Sequence, residues 1–288
     1  MTEDKAVIFS NVNKVIKKRE ILNNISFDVK RGEIVGIIGS NGSGKTTILR
    51  LASGLSYATS GDIYISNQKI EVGKVGGLPQ NVGILIESPK FLEHLTGFEN
   101  LDLLSKIQGK INSAKIREVL ELVGLNPNDK KKVREYSLGM KQRLGIAQTT
   151  MEEPNLILFD EPTNGLDKEG LEIFEKIIYK CKERGTAFIF VSHSMEEIKK
   201  YCDRVFKIEN KTLVLQQKNY EWRILLNNLE DAEKILQFNT HAYMGQRYQN
   251  KPVIVIPFRT KKELIDLLDL LNIQYTILKD DQINDDQI

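Results

Sequence analysis

EIVGIIGSNGSGKTTILRLASGL, residues 33–55, decides how the rest of the chain is read. EIVGIIG (33–39) is apolar nearly throughout and stops at a glycine, as a buried parallel strand does. TTILRLASGL (46–55) reads as a helix with Gly54 near its end. Between them GSNGSGKTT (39–47) satisfies G-x-x-x-x-G-K-[ST] in full, in the strand-then-helix setting that the pattern needs. Gly39, Gly42 and Gly44 let the backbone curl so that N–H groups face inward, and Ser40, Asn41, Ser43 and Thr47 complete the loop. Those donors, with the positive end of the helix, cradle phosphates. Lys45 brings a point charge to them, and the hydroxyl of Thr46 is suited to ligating Mg²⁺.

LILFDEP (156–162) supplies the matching carboxylates. Asp160 ends a second buried strand and is expected to hold Mg²⁺ through water. Glu161 follows it and is placed to polarise an attacking water as general base.

The bulk composition narrows the class. At 288 residues the chain has length for about two domains. Forty-one Lys and Arg against 39 Asp and Glu is too even a balance to argue for nucleic acid as the main partner. Cys181 and Cys202 match neither a disulfide framework nor a metal motif and are read, with Trp222, as packing residues of a protein in a reducing compartment. MTEDKAVIF carries acids where a signal peptide needs basic residues, and runs such as AFIFV (187–191) are far short of a membrane span, so a soluble chain is expected.

Along the chain, KAVIFSNV, ILNNISFDV and GDIYISNQ read as strands. From about 95 to 150 the apolar spacing turns to threes and fours: LTGFENLDLLSKIQ, SAKIREVLELVGL and LGMKQRLGIAQTTM are expected helices. LILFD, a helix through GLEIFEKIIYKCKERG, the strand TAFIFVSH and the helix MEEIKKYC follow, and RVFKIEN pairs with KTLVLQQ as a hairpin around Asn210. After about 218 the pattern restarts: YEWRILL, LEDAEKILQF, AYMGQRYQ, KPVIVIPF, TKKELIDLLDLLN and IQYTILKD give β-α-β-β-α-β, a ferredoxin-like order. The acidic end, residues 281–288, is expected to be disordered. His94 and His241 are read as surface residues.

YSLGMKQRLGIA (136–147), taken with the phosphate loop and LILFDEP, resembles the ATP-binding cassette (ABC) ATPases over roughly residues 5–217. The resemblance implies an α/β fold: a P-loop, RecA-like core with an antiparallel β subdomain and an α-helical subdomain at about 89–150. The domains are then 1–217 for the ATPase and 218–280 for the ferredoxin-like α+β module. It also implies ATP as substrate, Mg²⁺ as cofactor, and a nucleotide sandwiched between two cassettes, identical or paralogous. The signature Ser137, Leu138, Gly139 and Met140 would then meet the nucleotide of the partner, Asp167 of NGLD would face its counterpart, and His193 would hydrogen-bond the γ-phosphate.

The chain departs from the common family pattern in three places. Val15 and Ile16 stand where an aromatic usually stacks on adenine, so nucleotide selectivity is expected to be loose. The signature reads SLGMK rather than SGGQ. Glu87, in LIESP, stands where a neutral Gln usually approaches the metal. A carboxylate ligates Mg²⁺ and adds a charge, which is expected to make closure around ATP depend more strictly on the metal. LIESP, LTGFENL and YSLGMKQRLGIA resemble cassettes of bacitracin-type and lantibiotic-immunity peptide exporters. That resemblance implies a polytopic membrane permease as partner, no nucleic acid, and a cytoplasmic chain held at the inner face of the cell membrane. Two other readings stand beside it: a soluble, non-transport ABC ATPase, and an ATP-regulated sensor acting through the C-terminal module.

Overall fold

The computed structural model describes residues 4–71, 78–216, 220–239, 242–245, 247–249, 251–258 and 261–278. They fall into two compact units, Met1–Gln216 and Gln217–Ile288. His241 and the acidic end 281–288 lie outside the described residues.

The first unit runs β1 (Lys5–Ile16), β2 (Arg19–Lys30), β3 (Ile34–Ile38), α1 (Lys45–Ala52), β4 (Ser60–Ile65), β5 (Gln68–Lys69), β6 (Val82–Leu85), α2 (Gly97–Gln108), α3 (Ser113–Leu122), α4 (Leu138–Thr150), β7 (Leu156–Asp160), α5 (Lys168–Glu183), β8 (Ala187–Val191), α6 (Met195–Tyr201), β9 (Arg204–Glu209) and β10 (Thr212–Gln216). One sheet has the order β10-β9-β3-β8-β7-β6. Its strands β9, β3, β8, β7 and β6 are parallel, and β10 pairs antiparallel at one edge. A second sheet, β2-β1-β4-β5, is antiparallel throughout.

The parallel strands read as unbroken apolar runs because both faces are buried. Phe159, Phe188 and Phe190 join one core with Phe174, Ile177 and Ile178 of α5. Their neighbours Leu158, Ile189 and Val191 join another, with Ile48, Leu49 and Leu51 of α1 and with Val7, Phe9 and Phe27 of the antiparallel sheet. Because the strands are parallel, the ends of β3, β6, β7 and β8 share one edge of the sheet. In open α/β sheets ligands bind along that edge, and there the phosphate loop, Glu87, Glu161 and His193 follow their strands.

The helical part is set up by local chemistry. Thr96 caps α2 by accepting from Glu99 N, and Glu99 accepts in return from Thr96 N at 2.6 Å, a reciprocal capping box. Asn112 caps α3 by accepting from Lys115 N, and Ser137 caps α4 by accepting from Met140 N.

Three sequence expectations need correction. The strands expected at 5–12 and 21–29 extend to Ile16 and Arg19, and the chain turns between them in two residues, Lys17 and Lys18, both left-handed. Two lysines carry none of the Asn-Gly signal of such a turn. VGIL (82–85), to which the sequence reading assigns no element, forms β6. Among its described residues AYMGQRYQ (242–249) forms the two-residue strand Tyr243–Met244 and a bridge from Tyr248 to Lys251.

The second unit contains β11 (Tyr220–Leu226), α7 (Leu229–Phe238), β12 (Tyr243–Met244), β13 (Val253–Phe258), α8 (Lys261–Leu270) and β14 (Tyr275–Leu278). The sheet order is β12-β13-β11-β14, every pair antiparallel, which is the ferredoxin-like arrangement of two split βαβ units. Ala232 and Ile235 of α7 and Leu264 and Leu268 of α8 pack on Ile224, Leu226, Ile254 and Ile256.

Candidate active site

The phosphate loop closes between β3 and α1. Gly44, the residue before α1, has φ 113°, and a Cβ there would stand 2.7 Å from Leu22 Cδ2, so only glycine fits between the loop and β2. Lys45 is nearly buried, and its Nζ donates to Gly39 O at 2.8 Å and Ser40 O at 3.0 Å. Both acceptors are neutral carbonyls, which an anionic phosphate oxygen outcompetes. The hydroxyl of Ser43 is buried and, among the described residues, has no hydrogen-bond partner, an orphan polar group of the kind a ligand satisfies.

Thr46 Oγ1 donates to Asp160 Oδ2 at 2.8 Å, joining α1 to the end of β7. The pair offers hard oxygen donors, which fit Mg²⁺. Among the described residues no three His, Cys, Asp or Glu gather into a metal cage.

Glu161 follows with φ 52°. A non-glycine residue held there costs on the order of 1–3 kcal/mol and persists where its surroundings impose it. Its N–H donates to Val191 O at 2.9 Å, which fixes it beside the end of β8. His193 Nε2 stands 3.3 Å from Glu161 Oε1, within ion-pair reach but not aligned as a hydrogen bond, and among the described residues Oε1 has no hydrogen-bond partner. Burial pushes the Glu161 carboxyl above the usual carboxylate range, opposed by the His193 backbone and ring and reinforced by Asp160 and Glu197.

Glu87, also left-handed at φ 63°, is paired with Arg50 in the last turn of α1. Val15 and Ile16 are about 40% exposed at the β1–β2 turn.

The signature residues form a separate group. Ser137 Oγ accepts from Met140 N at 3.2 Å, and among the described residues it bonds only within its own helix end. Leu138 is 62% exposed, whereas Met140 packs partly into the core. Gly139 lies against Gly165 of NGLD: a Cβ on Gly139 would stand 2.8 Å from Gly165 O, and one on Gly165 would stand 2.7 Å from Leu138 Cδ2. Leu138 thus occupies space that Gly165 leaves free. Asp167, expected to face a partner, caps α5 by accepting from Gly170 N at 2.8 Å and remains exposed.

Sequence reasoning missed Arg50, Gln142 and Glu197. Gln142 Nε2 is buried and donates to Pro162 O at 2.7 Å, tying α4 to the segment after Glu161. Glu197 bonds Thr163 and Ser192. No local motif marks these contacts. Cys181 and Cys202 are buried, Trp222 packs against the core of the second unit, and His94 is exposed.

The family model described as ABC transporter matches residues 22–164. The chain is 39% identical over 243 residues to the uncharacterized ABC transporter ATP-binding protein YdbJ of Bacillus subtilis, covering 83% of this chain and 77% of that protein. It is 38% identical to the bacitracin transport ATP-binding protein BcrA of Enterococcus faecalis, covering 67% of this chain and 63% of that one. It is 34% identical to the lantibiotic transport ATP-binding protein SrtF of Streptococcus pyogenes, covering 82% and 97%. Among solved structures it is similar to a dimeric, post-hydrolysis state of the ATP-binding cassette MJ0796 bound to ADP and Pi, with TM-score 0.64 and 26% identity over 73% of this chain and 97% of that one.

Proposed function

Since this chain belongs to the ABC transporter family, we propose that it is the ATP-hydrolysing subunit of an exporter of antimicrobial or amphipathic peptides. It is an ABC transporter ATP-binding subunit and an ATPase. As proposed, the cassette pairs with a second one and drives a polytopic membrane subunit from the inner face of the cell membrane. Among the described residues no helix is long and apolar enough to cross a membrane.

The observation that carries the catalytic part is the bond from Thr46 to Asp160, with Glu161 next in the chain and His193 beside it. Lys45 exchanges its two carbonyl partners for the β and γ phosphates. Mg²⁺, when bound, would neutralise phosphate charge; Thr46 and Asp160 would hold it, and Glu87, on leaving Arg50, would add a carboxylate ligand. Glu161 accepts the proton of the attacking water, helped by its raised affinity for protons. His193 is placed to bond the terminal phosphate. Ser137 and Gly139, exposed or partly exposed at the start of α4, offer a hydroxyl and N–H groups to the nucleotide of the partner cassette. Asp167, at the start of α5, lies in the segment that would meet its counterpart.

Peptide export rests on likeness to the bacitracin and lantibiotic transport proteins. Coexpression with a polytopic membrane protein encoded beside this chain tests it. Copurification, with ATPase activity that rises on adding bacitracin-like or lantibiotic peptides, is expected. A chain that hydrolyses ATP, binds no membrane protein and responds to no such peptide would sink the exporter reading while leaving the ATPase intact.

A further inference from the structure

Glu197 links the segment after β7 to the segment after β8. It is the third residue of α6, whose capping residue is Ser194. A glutamate in that place ordinarily folds back onto the N–H of the capping residue. Here the Ser194 N–H already donates to Ser192 Oγ at 3.0 Å. The Glu197 carboxylate turns instead to two buried hydroxyls: Thr163 Oγ1 donates to Oε1 at 2.6 Å, and Ser192 Oγ donates to Oε2 at 2.7 Å.

A hydroxyl has one proton to give. Thr163 and Ser192 both give theirs to Glu197, so neither is free for Glu161. Ser192 Oγ is 3.5 Å from Glu161 Oε2, at the limit of hydrogen bonding. Thr163 lies two residues after Glu161, and Ser192 immediately precedes His193. One carboxylate therefore pins the backbone on both sides of the gap that separates Glu161 from His193.

We propose that Glu197 is a positioning residue for hydrolysis: by bridging Thr163 and Ser192 it holds Glu161 and His193 at the spacing that water attack requires, without touching the nucleotide. This rests on Glu161 as the base and His193 beside it. Hydrogen bonds to an ionised acceptor are short and about twice as strong as neutral ones, and a carboxylate accepts both hydroxyls where an amide has one acceptor oxygen. Lys45 and Thr46 make their bonds elsewhere, to Gly39, Ser40 and Asp160. Loss of the bridge therefore acts on turnover rather than on binding.

Steady-state ATPase of the full-length chain tests this. Glu197→Ala is expected to lower kcat about 10- to 100-fold, the scale of a small misplacement at a reacting centre, with KM for ATP within about twofold. Ser192→Ala should act in the same direction. The double variant should be no slower than the slower single one, because the residues work as a unit. Glu197→Gln keeps the side-chain shape, so it should fold with unchanged Tm and still lose turnover; it decides the matter if the alanine variant does not fold. Wild-type kcat in Glu197→Gln, a raised KM at unchanged kcat, or multiplying losses in the double variant overturns the bridge. Glu161→Gln, run alongside, separates the two ideas: if it still turns over, the premise fails and the bridge with it.

Discussion

Arg50 Nη2 is paired with Glu87 Oε1, joining the last turn of the helix that starts at the phosphate loop to the segment that follows β6. Both side chains are half exposed, so the pair is worth roughly 0–1 kcal/mol and is easily exchanged. If Glu87 leaves Arg50 to reach Mg²⁺, the two residues pull metal dependence in opposite directions. Glu87→Gln should raise the free Mg²⁺ needed for half-maximal ATPase, and Arg50→Gln should lower it, each by up to about fivefold for up to about 1 kcal/mol. Glu87→Gln should also bind ATP better in chelator, because one repulsive charge is gone. Mg²⁺ titrations at fixed ATP read both shifts. Unmoved curves in both variants would leave Glu87 with a mechanical role only.

Thr96 and Glu99 anchor the helical part, and their contribution depends on pH. The Thr96 backbone N–H, then Lys132, hold the Glu99 carboxyl at about 2, below its ordinary 4.5. A lowered carboxylate stabilises the folded chain fully above the unfolded value and loses that contribution as pH falls toward the folded one. The Tm gap between wild type and Glu99→Gln should therefore be open at neutral pH and narrow from pH 4.5 to 2. Thr96→Ala removes the cap itself and should cost about 1 kcal/mol in chemical denaturation. A Glu99→Gln gap that stays constant across that range would mean that charge is not what the box contributes.

The two compact units predict a clean truncation. A chain ending at Gln216 keeps both sheets, α1 to α6 and every candidate site residue. It should remain soluble, and Mg-ATP should raise its Tm as it does for the full chain. A folded truncate without that shift would show that the second unit is needed for nucleotide binding.

Legibility in the sequence followed the range of the interactions. The phosphate loop, β7 and β8 were readable because glycines, a lysine and unbroken apolar runs are local signals, and the same alternation of helix and strand outlined the second unit. The Lys17–Lys18 turn was not, since its left-handed backbone is imposed by the pairing of β1 with β2 rather than by the residues themselves. Thr96-x-x-Glu99 was a readable capping signal that went unused. Arg50 with Glu87, and Glu197 with Thr163, lie 37 and 34 residues apart, and only the packed sheet brings them together. Leu138, a departure in the signature, fills space that Gly165 leaves free, 27 residues away in sequence.

On the proposed function, Glu161 activates water in a site assembled by Lys45, Thr46 and Asp160. Steady-state ATPase of Glu161→Gln, with ATP binding measured on the same protein, tests it most directly. The side chain keeps its shape and loses its basicity. Binding should stay at the wild-type level while turnover falls by about 10²- to 10⁴-fold, the usual share of a general base. Turnover within a few-fold of wild type, at intact ATP binding, would contradict the account and assign the water to another group.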